Sequence, residues 1–445
     1  MSGNASNCDT LVHARWVVPV EPAGTILEHH SLAIADGRIL AVLPTARARR
    51  EFRPATEVPL PGHALIPGLV NAHTHAAMSL MRGLADDMPL GRWLQEHIWP
   101  AESRWIGPEL IADGTDLAIA EMLAGGTTCF NDMYFFPDVV ARRVERAGIR
   151  ACVGLIMLDL PTAWGSGPDE YLAKGLALQD EYKHHPLVTT AFAPHAPYTV
   201  SDGPLTRLRT YADELDRRVH IHLHETADEV RESVAAHGMR PLDRLERLGL
   251  LTPNLVAVHV TQLEDAEIER LAAAGAHVVH CPESNLKLAS GMCRAADLDR
   301  AGVDLALGTD GAASNNDLDM IGEMRTAALL AKAVAGDAAA LPAPRVLRMA
   351  TLGGARALGL EAECGSLEPG KWADLAAVRL DTPDCQPVYN AVSQIVYAAT
   401  RQHVTDVWVA GRQLYRDGSL IHMDVEEVAA RARTWGERIA RGEES

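Results

Sequence analysis

Residues 254–285, NLVAVHVTQLEDAEIERLAAAGAHVVHCPESN, contain one complete unit of the fold. An apolar run at 254–261 ends in polar residues, a helix-like stretch follows at 262–274, and a second apolar run occupies 277–285. Parallel strands cannot be joined by a tight turn. They need a crossover of a dozen or more residues, usually a helix. Working outward, runs of the same kind recur at 65–75 (LIPGLVNAHTH), 127–133 (TTCFNDM), 150–157 (RACVGLIM), 188–197 (VTTAFAPHAP), 219–225 (VHIHLHE) and 304–311 (DLALGTDG). Strand and helix repeated eight times predict an α/β chain whose residues 65–365 form a (β/α)8 TIM barrel.

The pattern changes on either side. Short alternating runs at 10–20 (TLVHARWVVPV) and 30–43 (HSLAIADGRILAVL), the latter with an Asp36-Gly37 turn signal, predict antiparallel sheet. Similar runs return at 373–380 (ADLAAVRL) and 404–415 (VTDVWVAGRQLY). Residues 1–64 and 366–422 are therefore expected to build one small composite β-sandwich from both chain ends. Residues 423–445 are expected to form a charged C-terminal helix.

Hydrophobic residues make up 47% of the 445 and charged residues 22%, the balance of a globular enzyme. The formal net charge of −18 leaves no basic footprint for a nucleic-acid polymer or an anionic membrane, so a small molecule is the expected partner. The start of the chain shows no charged stretch followed by an apolar one, and no uncharged apolar run approaches a membrane span. Seven cysteines, odd in number and never closer than a dozen residues, argue against a disulfide framework and against a C-x-x-C zinc site. A cytoplasmic location is expected.

His73, His75, His195, His222, Glu225, His259 and Asp310 all fall at or just past the carboxyl ends of predicted strands, the face on which barrels carry their active sites. His73 and His75 share one side of their strand because alternate residues do. With His222 and Asp310 they offer three neutral nitrogens and a carboxylate to one divalent cation, Zn²⁺ first and Fe²⁺ second, leaving a position for water. A lone histidine at a strand end is ordinarily a hydrogen-bonded polar residue; four such groups converging at one mouth are read as ligands. Glu225, three residues past His222, is placed to return over the open position as a proton carrier. His259 is expected to hold the nucleophile or polarise the intermediate. His220 and His224 are read as out of phase with His222, facing away from the barrel axis and structural.

NAHTH, HLHET, AVHV and LGTDGAASNN resemble the amidohydrolase superfamily, specifically its 5′-methylthioadenosine/S-adenosylhomocysteine deaminase branch, over nearly the whole chain. GSLEPGKWADLAAV resembles the segment by which such proteins return from barrel to sandwich. The resemblance implies hydrolytic deamination of an adenine nucleoside, with water activated by one metal ion per subunit attacking C6, Glu225 protonating N1 and ammonia leaving. It implies His73, His75, His222 and Asp310 as ligands, Asp310 also as acceptor of the water proton, and His259 as partner of the nucleophile. It places Trp93 against the ligand, Glu102 on the ribose hydroxyls and His195 on the sugar side, with His222 and Glu225 also touching substrate. A homo-oligomer is implied as well.

Binuclear relatives carry a bridging lysine after the fourth strand, and VTTAFAPHAPYTV has none, so one metal is favoured. A deaminase of another purine base or a triazine hydrolase of the same superfamily is the alternative. A non-catalytic scaffold would have lost ligands or the proton carrier, and every position is filled. Residues 156–173, the loop region after the third strand, hold no Arg or Lys and carry Leu158, Leu160 and Trp164. That composition predicts 5′-methylthioadenosine as preferred substrate, adenosine as weaker and S-adenosylhomocysteine as poor.

Overall fold

Two eight-stranded sheets organise the protein in the computed structural model, which describes residues 5–442. Positions 1–4 and 443–445, counted above in the N-terminal stretch and the terminal helix, lie outside the described residues. The first sheet takes β1 (Ser6–Val17), β2 (Leu27–Ala35), β3 (Arg38–Pro44) and β4 (Phe52–Pro67) from one chain end. The barrel then runs through β5 (Leu69–Thr74), β6 (Thr127–Asp132), β7 (Arg150–Met157), β8 (Val188–Pro194), β9 (Val219–Leu223), β10 (Leu255–His259), β11 (His277–His280) and β12 (Asp304–Leu307). The other chain end returns β13 (Leu375–Arg379), β14 (Val404–Val409), β15 (Arg412–Arg416) and β16 (Ser419–Leu420) to the first sheet. Its order, β16-β15-β14-β13-β4-β1-β2-β3, interleaves the two ends as the alternating patterns predict.

The Asp36-Gly37 signal holds. β2 and β3 pair up to Ala35 and Arg38, and the two turn residues have φ of 50° and 75°, the twist that suits a two-residue hairpin. Most of β4, up to residue 64, has no counterpart among the expected runs, because Pro54, Pro59 and Pro61 disguise it as loop. It pairs in parallel with β1 and continues to Pro67, so the expected run 65–75 is shared between two sheets, with Gly68 at the crossing. A Cβ on Gly68 would lie 2.1 Å from Thr128 Oγ1, which explains the glycine.

All neighbouring barrel strands pair in parallel, in sequence order from β5 to β12. Almost every strand residue is buried, as expected when helices cover the outside and side chains fill the inside. The ring closes between β12 and β5 at the mouth, where Asp310 N donates to His73 O at 3.0 Å and Thr309 N to Asn71 Oδ1 at 3.0 Å. A Cβ on Gly308 would stand 2.8 Å from His73 N, so only glycine permits this approach.

The covering helices follow ordinary start and stop chemistry. The helix Asp265–Ala274 begins where Glu267 Oε2 accepts Glu264 N at 2.8 Å and ends at Gly275 with φ of 66°. The terminal helix is Val425–Arg441. Among the described residues no helix is long and apolar enough to cross a membrane.

Candidate active site

Five strands deliver the predicted site residues to one mouth. β5 brings His73 and, just past its end, His75; His195 directly follows β8; β9 brings His222 and, two residues past its end, Glu225; β10 brings His259; Asp310 follows β12. His259 and Asp310 adopt φ of 72° and 60°, and Val260 a φ of 42°. Non-glycine residues hold such angles at a cost of order 1–3 kcal/mol each and keep them where surrounding contacts over-determine them. Here the bend swings a strand-end side chain across the mouth.

The donor atoms converge. His73 Nε2 lies 3.1 Å from His222 Nε2 and 3.4 Å from Asp310 Oδ1, and His75 Nε2 lies 3.1 Å from the same oxygen. Ligand atoms of His73, His222, His259 and Asp310 all fall within 4.8 Å of one another, and His75 joins them through Asp310. Ligands about 2.0–2.1 Å from a tetrahedral ion stand about 3.3 Å apart, which is the spacing found. Tautomers point the same way. His75 Nδ1 faces Met133 O at 2.5 Å and His222 Nδ1 faces His195 O at 2.7 Å. A carbonyl only accepts, so each Nδ1 carries the proton and each Nε2 turns a lone pair toward the cluster. Lone pairs and a carboxylate at these distances repel one another unless a cation lies between them. The residues fit a divalent metal.

Burial keeps these rings basic-poor: it carries His73 down to about 4, and with neighbouring rings it holds His222 well below the usual range. In His75 the bond to Asp310 outweighs burial and raises the ring to about 9, a proton at Nε2 that a bound cation would displace. Burial would raise Asp310 too, but His73 and His75 hold it well below the usual carboxylate range. Asp310 Oδ2 further accepts from Ser284 Oγ and Ser314 Oγ, each at 2.7 Å. Neither serine stood out in the sequence. Glu225 is buried, with Oε1 3.9 Å from His259 Nε2, and burial raises its carboxyl. Its backbone N–H donates to Glu229 Oε2 at 2.6 Å, and His259 Nδ1 bonds Asn285 Oδ1 at 2.8 Å, two further supports absent from the sequence reading.

His220 requires a correction. It is fully buried with Nε2 2.8 Å from His73 Nδ1, so it faces into the barrel beside the ligands. Residues 220 and 222 differ by two and share a strand face; the out-of-phase reading miscounted that period. His224 does leave, because its φ of 52° turns it past the strand end, where its Nε2 accepts Leu242 N at 3.1 Å.

A cavity of about 590 Å³ opens above the cluster and is lined by His75, His195, His222, Glu225, His259 and Asp310 on its polar floor. Trp93 and Glu102 line it as well. Trp93 is largely packed, its Nε1 donating to Ala85 O at 3.1 Å. Glu102 accepts from the Tyr134 hydroxyl at 2.6 Å, and burial lifts its carboxyl to about 7. Leu158 and Leu160 face the cavity as expected, but Trp164 does not: it packs against Tyr171 with ring centres 5.7 Å apart. Among the described residues no Lys or Arg lines the cavity. Asp384, Cys385 and His403 form a second group with metal-ligand atoms close together. There His403 Nδ1 accepts Thr400 N at 3.0 Å, so Nε2 carries the proton toward Asp384 at 3.2 Å and the group is a turn cap.

A parallel barrel with histidines and an aspartate gathered around a cation position, and a buried glutamate beside it, defines a metal-dependent hydrolase. The model of the amidohydrolase family matches residues 64–414. A 5-methylthioadenosine/S-adenosylhomocysteine deaminase from Teredinibacter turnerae is 52% identical over 436 residues, covering 98% of this chain and 99% of its own. One from Saccharophagus degradans is 48% identical, covering 98% of each. The crystal structure of an adenosine deaminase from Xanthomonas campestris with bound zinc superposes with a TM-score of 0.97 at 57% identity, over 98% of this chain and 100% of that one. Atrazine chlorohydrolase from Arthrobacter aurescens, at 24% identity and a TM-score of 0.90 over 96% and 99% of the two chains, shares the fold. The chain belongs to the amidohydrolase family, in its 5-methylthioadenosine/S-adenosylhomocysteine deaminase branch.

Proposed function

We propose that the protein hydrolyses the 6-amino group of an adenine nucleoside, with 5′-methylthioadenosine preferred and 5′-methylthioinosine and ammonia as products. The observation that carries this is the cavity itself: a polar floor of His75, His195, His222, Glu225, His259 and Asp310 beneath apolar walls that, among the described residues, hold no Lys or Arg. His73, His75, His222 and Asp310 would hold one divalent ion, Zn²⁺ by analogy with the Xanthomonas structure. When bound, such an ion makes water a nucleophile at neutral pH.

The chain's own residues do the rest. Asp310, held ionised by its neighbours, accepts the proton that water gives up. Glu225, its carboxyl raised by burial so that it holds a proton more readily, protonates N1 as the bond from oxygen to C6 forms. His259 faces Glu225 across the cluster and steadies the charge that develops at the reacting oxygen. Asp310 then passes its proton to the amino group, the C6–N bond breaks and ammonia leaves, while Glu225 recovers a proton from the C6 hydroxyl as it becomes the carbonyl. Glu102 accepts the vicinal ribose hydroxyls, Trp93 offers an apolar face, and His195 borders the sugar side.

Selectivity follows from the 5′ end. Leu158, Leu160, Pro161 and Ala163 suit a methylthio group, whereas the carboxylate of S-adenosylhomocysteine would meet no cation and lose hydration. Comparing kcat/KM for 5′-methylthioadenosine, adenosine and S-adenosylhomocysteine tests the reading. The expected order is the one just written; S-adenosylhomocysteine performing as well as the first would overturn it. A cytoplasmic homo-oligomer completes the proposal, and seven free, buried cysteines suit a reducing compartment.

A further inference from the structure

Tyr134 lies two residues past the end of β6, buried, with its hydroxyl 2.6 Å from Glu102 Oε1 and its ring tilted against His75 with centres 6.0 Å apart. The partner comes from a different element. Glu102 sits on the helix Trp99–Trp105, which is part of the segment that crosses the cavity between β5 and the helix Pro108–Ala124, outside the barrel ring. Both residues line the cavity. A glutamate side chain has three rotatable bonds, so its aim is set by what holds the carboxylate. Among the described residues no Lys or Arg lines the cavity to do this, and the hydrogen bond in place is the phenol's. A carboxylate has about four acceptor sites, and a single donor fixes its direction while occupying one.

We propose that Tyr134 is a positioning residue for ribose recognition: by donating to Oε1 it holds Glu102 with its remaining lone pairs toward the cavity, where they accept the 2′- and 3′-hydroxyls of the nucleoside. The inference rests on the reading of the protein as a nucleoside deaminase. It also explains how a residue on a covering helix is registered against the barrel rim. The tie joins the sugar subsite to β6 and leaves Glu225, His259 and Asp310, which have their own partners, to the base.

The test compares adenosine with 2′,3′-dideoxyadenosine, which lacks both hydroxyls. The wild type should prefer adenosine. In Tyr134→Phe that preference, taken as the ratio of the two kcat/KM values, should fall about tenfold, the scale of a hydrogen bond to a charged group, with the loss in KM more than in kcat. Tyr134→His keeps a ring that can donate and should retain more of the preference, so the proposal is open to test if Tyr134→Phe folds poorly. A ratio that stays at the wild-type value in both variants, whatever the absolute rates, overturns the positioning role. A wild type that deaminates both nucleosides equally overturns the ribose contact. A metal-loaded wild type that deaminates neither of these nor 5′-methylthioadenosine overturns the nucleoside reading beneath it.

Discussion

His220 shows how one buried side chain bears on a metal it does not touch. With His73 Nε2 turned to the cluster, His73 Nδ1 has His220 Nε2 as its partner at 2.8 Å, and the two rings stack with centres 5.0 Å apart. Partners of this kind fix a ligand's tautomer and orientation, and losing one typically weakens metal binding about 10–100-fold. His220→Leu should therefore release its ion to a chelator at correspondingly lower concentration; unaltered competition would contradict the role. Glu225→Gln, by contrast, should keep fold and metal and lose about 10²–10⁴-fold in turnover, read as kcat alongside metal content. Glu102 adds a pH dependence. Its carboxyl is lifted by burial to about 7, so it gains a proton as pH falls through that value and gives up acceptor capacity. The KM for adenosine should rise between about pH 8 and about pH 6, and that for 2′,3′-dideoxyadenosine should rise less.

At the scale of elements, the barrel's rhythm was legible because crossover helices force long, regular spacing between buried strands. His73, His75, His222 and Asp310 were legible for the same reason, since strand ends of a barrel converge whatever lies between them. What stayed hidden depends on short-range geometry. β11 stops at His280, because Pro282 opens the helix Pro282–Lys287, and only that early stop brings Ser284 and Asn285 to Asp310 and His259. Most of β4 stayed hidden behind its prolines, and Tyr134 became visible only with the position of Glu102 across the cavity. Close packing is likewise unreadable from one sequence. Gly114 lies inside the helix Pro108–Ala124, where alanine would ordinarily gain about 1 kcal/mol. Its Cβ would stand 2.4 Å from Ala77 O and 2.8 Å from Ala77 Cα, backbone atoms of the segment after β5. Overpacking of this sort costs about 1–3 kcal/mol, so Gly114→Ala should destabilise on balance. A urea midpoint at or above that of the wild type would contradict the packing argument.

At the scale of the whole molecule, the barrel and the sheet built from both chain ends are joined by a buried ion pair far from the mouth. Arg150, at the start of β7, places Nε 2.8 Å from Asp374 Oδ2, donates from Nη1 to Pro186 O at 2.7 Å, and shares Asp374 with Ala410 N at 2.6 Å. Removing one partner of such a pair strands a buried charge at a cost of about 3–5 kcal/mol. Asp374→Asn should melt well below the wild type; an unchanged melting temperature would show that the pair does not hold the two sheets together. The mouth opposite carries the chemistry, and the account of it stands on one claim, that this cavity deaminates an adenine nucleoside. The direct measurement is ammonia release from 5′-methylthioadenosine by the zinc-loaded protein, followed together with the loss of adenine absorbance. The account predicts one ammonia for each nucleoside consumed and an inosine-type product. A folded, metal-loaded protein that leaves the nucleoside intact and releases no ammonia would contradict it.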